Sequence, residues 1–82
     1  MSNESFCYRN YISVLIARHH LTMHQFGLVF GYSGDVIEML VLNKAPMPAA
    51  LVASLQLFRI LNTPARVAFM QMRFKLAGAP SA

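Results

Sequence analysis

Asp35 and Glu38 are the residues whose type and spacing come closest to a catalytic pair. They lie three residues apart, so a helix would place both carboxylates on one face. Paired carboxylates act as general acid and base only inside a cleft, and a short helix offers none by itself. We therefore expect no enzymatic activity, and we interpret the two acids as part of a binding surface.

Three histidines and one cysteine are the remaining side chains with ligand or redox chemistry. His20 and His24 straddle an expected break between helices, and His19 adds no cysteine or acidic neighbour in the sequence. Because zinc sites combine such ligands at regular spacing, we expect ordinary helix-end histidines, no metal and no cofactor. The single cysteine, Cys7, cannot form an intrachain disulfide and has no evident activating base. A packing role in a reducing cytoplasm is the simplest interpretation.

The segment from residue 22 to residue 44 predicts two short helices joined by a tight turn. Thr22, with a glutamine three residues later, is spaced for a capping box. Gly31 suits a left-handed residue at the end of the first helix, Ser33 can cap the second, and Asn43 can end it. Apolar residues recur at helical spacing on each helix: Phe26, Val29 and Phe30, then Val36, Ile37, Leu40 and Val41. These features together describe a helix-turn-helix unit over about residues 22–43.

Three more helices are predicted around this unit, which makes the chain all-α with five helices. Phe6 to His19 contains neither Gly nor Pro, and Asn3 or Ser5 can cap its start. A fourth helix is predicted from Ala49 to Leu61, with Pro48 in its first turn.

The last helix, predicted over residues 64–77, carries more apolar side chains than one small core absorbs. Asn62 ends the preceding helix, and Thr63 caps the last one. One stripe of the last helix is apolar at helical spacing: Val67, Met70 and Phe74. Two alternatives remain open, since the stripe either closes the core of the monomer or forms the seam of a homodimer.

Composition indicates one small basic domain. The chain has 82 residues and a net charge of +4, with an isoelectric point of about 9.9, which favours a polyanionic partner such as nucleic acid. Apolar residues reach 56%, so a hydrophobic partner or oligomer interface is expected. No apolar run approaches the ~20 residues of a membrane span, and no secretory signal is visible. We therefore predict a cytoplasmic domain over residues 1–82, with a core within about 5–62 and a tail at 78–82.

A longer pattern runs through the same segment without a gap. Its elements are Leu21-Thr22, Phe26-Gly27, Gly31-Tyr32-Ser33, Val36-Ile37, Leu40 and Asn43-Lys44. This order resembles the Cro/C1-type, or lambda-repressor-like, helix-turn-helix family, and with the flanking helices the resemblance covers roughly residues 12–62. It implies a five-helix domain that binds double-stranded DNA as a transcriptional regulator, and in some repressors of this kind the last helix forms the seam of a dimer.

The resemblance also implies site residues. A helix-turn-helix places its second helix in the major groove, and alignment puts these positions at the base edges: Gly34, Asp35, Glu38 and Met39, with Leu42 at the end of the helix. The acids could accept from cytosine amino groups, and Met39 could contact a thymine methyl. The implied phosphate contacts are Arg18, Thr22, Met23, His24, Ser33 and Lys44.

The chain departs from the family pattern in three places. Met23 replaces a glutamine that grips the DNA backbone, and Ile16 and Val41 occupy the positions of an Arg–Glu pair. Asp35 and Glu38 bring two of the three acids in the chain towards phosphates. A second hypothesis follows, in which the same helix binds another protein through an adaptable patch of Gly34, Asp35, Glu38, Met39 and Leu42.

Overall fold

A computed structural model describes residues 6 to 78, and this part of the chain contains five α-helices and no strand. The helices are α1 (Tyr8–Arg18), α2 (Met23–Phe30), α3 (Gly34–Val41), α4 (Ala49–Ile60) and α5 (Thr63–Leu76). The predicted all-α class is confirmed. None of these helices is long and apolar enough to cross a membrane. The predicted caps Asn3 and Ser5, and the tail after Gly78, lie outside the described residues.

The ends of α2 follow from its local sequence. The Thr22 hydroxyl accepts from the Gln25 N–H at 3.0 Å, and the Gln25 side chain accepts from the Thr22 N–H at 2.9 Å. Gly31 is left-handed, with φ of 89°, and both Gly31 and Tyr32 donate to the Gly27 carbonyl. The predicted capping box and glycine stop are therefore confirmed.

The ends of α3 are also set locally. The Ser33 hydroxyl accepts from the Val36 N–H at 3.2 Å, which confirms the predicted cap. Asn43 is left-handed with φ of 60°, and the following Lys44 N–H donates to the Met39 carbonyl at 2.8 Å. This bond satisfies one of the carbonyls that a helix end leaves without an intrahelical partner.

Three other predictions are wrong: the cap of α5, the position of Pro48 and the role of Cys7. Asn62 caps α5 by accepting from the Ala65 N–H at 2.9 Å, whereas Thr63 is already helical. Pro48 is the residue before α4 rather than part of its first turn. Cys7 precedes α1 and is exposed, so it does not have the packing role expected for it.

A single core joins the five helices. Among residues 6 to 78, twelve apolar side chains are buried: Tyr11, Ile12, Leu15, Phe26, Val29, Ile37, Leu40, Leu51, Leu55, Phe58, Met70 and Phe74. Met70 and Phe74 thus close the core of the monomer, and Val67 is the exposed member of its stripe. The structure corrects the predicted dimer seam for Met70 and Phe74, because side chains buried within one protomer are not available to a second.

Three arginines donate to backbone carbonyls at the ends of other helices. Arg9 donates to Leu40 and Ala45 at the end of α3, Arg66 to Phe58 and Arg59 at the end of α4, and Arg73 to Val29 at the end of α2. Cations stabilise helix C-termini because the carbonyl groups there carry partial negative charge. These bonds hold α1 against α3 and α5 against α2.

Candidate nucleic-acid interface

The outer face of α3 carries acids and large apolar side chains. Ile37 is fully buried, whereas Asp35 and Glu38 are exposed. Met39 is 45% exposed and Leu42, just after the helix, is 52% exposed. The predicted base-edge residues therefore lie on the outside of the molecule, apart from Gly34.

Two glycines bring α2, the turn and α3 into close contact. A Cβ on Gly27 would lie 2.1 Å from the Tyr32 carbonyl oxygen, and a Cβ on Gly34 would lie 3.1 Å from the backbone of His24. Gly34 is half-buried at this contact, so its absent side chain is explained by helix packing. The first residues of α2 and α3 consequently lie side by side. The signal available in the sequence was a glycine inside a predicted helix, which costs stability unless close packing requires it.

The starts of α2 and α3 offer hydrogen-bond donors. The Thr22 and Ser33 side chains are exposed, and each hydroxyl oxygen already accepts from a backbone N–H. Each hydroxyl proton remains available to an anion, because a hydroxyl can donate and accept together. His24 is exposed next to them, whereas Met23 is half-buried and packs against the core. The Met23 side chain cannot bind a phosphate, but its backbone N–H at the start of the helix can donate to one.

The two predicted basic contacts differ in their surroundings. Lys44 is exposed directly after α3. Arg18 is exposed at the end of α1, where it borders a hollow of about 400 Å³ with Phe6, Cys7, Asn10, Tyr11 and Val14. None of these neighbours belongs to α2 or α3, so Lys44 is the basic residue placed best for a ligand on α3.

Most of the positive charge has a structural role. Arg9, Arg66 and Arg73 donate to helix ends, and the Arg59 guanidinium lies 3.5 Å from the centre of the Phe6 ring, a cation–π contact. Among residues 6 to 78, the cations outside this scheme are Arg18, Lys44 and Lys75. The net charge of +4 therefore does not translate into a basic surface on α2 and α3.

Ile16 and Val41 are half-buried and pack against the core. Two packed apolar side chains thus stand where the resemblance implies an ion pair, and this replacement is compatible with folding. Sequence reasoning missed that Arg9 supplies a cation to the end of α3, because the interaction joins a side chain to backbone more than thirty residues away.

His19 has an unusual environment at the end of α1. Its Nε2 atom is buried and has no hydrogen-bond partner, and the residue borders a cavity of about 150 Å³ with Leu21, Val67, Met70, Gln71 and Phe74. Burial, followed by the nearby positive charges of Arg18, Arg66 and His20, lowers the pKa of His19 below its usual 6.5. In the described part of the chain, no three His, Cys, Asp or Glu side chains come together as metal ligands.

Comparison of this chain with known proteins gave no matching family model, no matching curated protein and no matching solved structure.

Proposed function

We propose that this chain is a repressor-like transcriptional regulator that binds double-stranded DNA, with α2 and α3 acting as a helix-turn-helix of the lambda-repressor-like kind. The observation that carries the proposal is the outward face of α3 next to the paired helix starts. A helix presented in this way fits the width of the major groove. The donors at the helix starts would meet phosphates on either side.

The contacts divide by chemistry. The Thr22 and Ser33 hydroxyls, the backbone N–H groups beside them and Lys44 would hold the phosphate backbone. Asp35 and Glu38 would face base edges, where a carboxylate can only accept hydrogen bonds. Cytosine presents an amino donor in the major groove, so it is the base that suits these acids best.

Homodimer formation is part of the proposal, because one α3 would reach only one half-site. The support is an exposed apolar surface on α4 and α5. Leu57 is 65% and Ile60 is 79% exposed, and a hollow of about 230 Å³ next to them is lined by Ser54, Leu57, Phe58, Leu61 and Phe69. An exposed apolar surface of this kind is typical of a contact between protein copies.

A salt titration with a generic duplex tests DNA binding directly. Each phosphate neutralised by Lys or Arg contributes about −0.9 to the slope of log affinity against log salt. Because few cations are available near α3, we expect binding at low salt with a shallow slope of about −1 to −2 per protomer. Lys44→Gln should reduce the slope by about 1, while Lys75→Gln on α5 should leave it unchanged. Absence of binding at low salt by a folded protein would refute the proposal.

A second candidate function is favoured by the apolar part of the same face. Val36, Met39 and Leu42 are all exposed large apolar residues, and Asp35 and Glu38 lie among them. Such a mixture suits a partner protein that carries basic and apolar groups. In that case α3 would bind protein and the domain would have lost sequence-specific DNA reading.

Neutralising the acids distinguishes the two functions by the sign of the effect. Asp35→Asn and Glu38→Gln remove repulsion from phosphates, so each should raise affinity for generic DNA if α3 enters a groove. The same variants should weaken binding to a basic partner protein. Met39→Lys gives an independent check, because it adds a charge that DNA favours and an apolar protein interface does not.

A further inference from the structure

We propose that His19 is an acid-sensitive latch, whose neutral imidazole lets α5 pack against the end of α1 and whose protonation releases α5. The inference does not depend on the proposed DNA-binding function. It rests on the position of the ring between two helices and on the charges that surround it.

The His19 ring lies at the C-terminal end of α1, next to α5. His19 follows the last residue of α1, and its backbone N–H donates to the Leu15 carbonyl at 3.0 Å. The next residue, His20, is left-handed with φ of 55°, which turns the chain into Leu21. Leu21 and four α5 residues border the same cavity as His19, namely Val67, Met70, Gln71 and Phe74. The imidazole is therefore in the wall between the α1 end and the inner face of α5.

Among the described residues, the imidazole has no acidic group beside it to stabilise a positive charge. Nε2 has no hydrogen-bond partner, although Gln71 borders the cavity. The charged and titratable groups that act on the ring are Arg18 at the end of α1, Arg66 on α5 and His20 in the turn. All of these are basic, and the described acids, Asp35 and Glu38, lie on α3. A proton on His19 would thus place a positive charge on a ring whose Nε2 atom is buried without a partner, among other positive charges.

The direction of the pH effect follows from this environment. In the unfolded or released chain His19 titrates near its usual 6.5, whereas the packed state lowers its pKa. Well above pH 6.5 the ring is neutral in both states, and protonation does not weaken the packing of α5. As the pH falls below 6.5, the released state takes up the proton first, so packing weakens until the pKa of the packed state is reached. The two other histidines lie outside the cavity wall.

α5 is the element that this charge would displace. Met70 and Phe74 are the core residues that α5 contributes, and both border the cavity. Arg73 and Arg66 tie the same helix to the ends of α2 and α4, and Arg66 is one of the positive charges that a protonated His19 would repel. Release would therefore begin at the cavity and expose Leu21, Met70 and Phe74.

Amide hydrogen exchange followed by NMR on the full chain tests the latch. We expect that lowering the pH from about 7.5 to about 5 reduces the protection factors of α5 amides more than those of α3, after correction for intrinsic exchange rates. His19→Gln and His19→Leu should each abolish this selective loss, because neither side chain takes up a proton. His24→Gln, at an exposed site on α2, should keep it.

Three results would overturn the proposal. The first is equal protection of α5 at both pH values in the wild-type chain. The second is a loss that is the same in every helix. The third is an α5-selective loss that persists in a folded His19→Gln or His19→Leu variant, since two different replacements guard against an effect of either side chain on packing.

Discussion

Gly27→Ala should destabilise the chain more than Gly31→Ala, although Gly31 is the one with a left-handed backbone. Gly27 is buried inside α2. An added Cβ would lie 2.1 Å from the Tyr32 carbonyl oxygen, 3.0 Å from its carbon and 3.3 Å from the Ser33 carbonyl carbon. All three atoms belong to the backbone of the turn, so relief requires α2 and the turn to move apart. The contact to the oxygen must lengthen by about 0.9 Å to reach the shortest distances that real Cβ atoms show.

The expected magnitude combines two opposing effects. Alanine is favoured over glycine inside a helix by ~0.8–1.0 kcal/mol. Overpacking a buried site costs ~1–3 kcal/mol and occasionally more, and a backbone obstacle places Gly27→Ala at the upper end. A net loss of about 2 kcal/mol follows, which corresponds to a fall in Tm of roughly 8–16 °C for a domain of this size.

Gly31→Ala provides the matched comparison in the same turn. The left-handed conformation costs a non-glycine residue ~1–2 kcal/mol, and reduced freedom of the unfolded chain returns ~0.4–1 kcal/mol. A Cβ on Gly31 would have only the end of the Arg73 side chain nearby, at 4.0 Å. We therefore expect a net loss of about 1 kcal/mol or less for this variant.

Thermal and urea unfolding, followed by the helical circular dichroism signal, measure both variants against the wild type. The expected order of stability is wild type, then Gly31→Ala, then Gly27→Ala. A Gly27→Ala protein as stable as Gly31→Ala would refute the close contact between α2 and the turn. The placement of α3 next to the start of α2 rests on the separate approach of Gly34 to the His24 backbone.

Three further predictions concern other contacts. Arg73→Met should lose about 1 kcal/mol in urea unfolding, because it removes the charge-assisted bond to the Val29 carbonyl, whereas Lys75→Met on the same helix should change stability by less than about 0.5 kcal/mol; equal losses would contradict the assigned bond. Asn62→Ala should cost about 1 kcal/mol through loss of the α5 cap, and Thr63→Ala should be nearly neutral if the cap is assigned correctly. Ile60→Asp should make the protein monomeric in sedimentation equilibrium if the apolar surface on α4 forms the proposed homodimer, and a dimer that survives this substitution would exclude that surface.

The features that the sequence predicts well depend on neighbours a few residues away. The Thr22 capping box, the left-handed Gly31 and Asn43 and the Ser33 cap all involve bonds within about one turn. Residue type therefore determines them almost without reference to the rest of the molecule. The wrong prediction that Thr63 caps α5 is also local. Asn62 and Thr63 can both cap a helix, and a shift of one residue in the start of α5 determines which of them does so.

Features that depend on distant parts of the chain were not predictable in this way. An apolar stripe such as Val67, Met70 and Phe74 shows that one face of α5 is covered, but not whether its own core or a second copy covers it. The buried Nε2 of His19 depends on α5, about fifty residues later. Likewise, Arg73 and Val29 are 44 residues apart, and nothing in their spacing indicates that they meet.

The distribution of the cations changes what the basic composition means for function. A net charge of +4 in 82 residues suggests a nucleic-acid partner, yet four of the seven Lys and Arg residues bind helix ends or an aromatic ring. On α3 itself the charged side chains are the acids Asp35 and Glu38. Their negative charges would repel an approaching phosphate. DNA binding by this chain would therefore depend less on charge than on two kinds of hydrogen bond. The helix starts would donate to phosphates, and base amino groups would donate to the two carboxylates. Such a protein would bind duplexes of random sequence weakly. Most of its affinity would come from contacts with the bases of a specific DNA sequence.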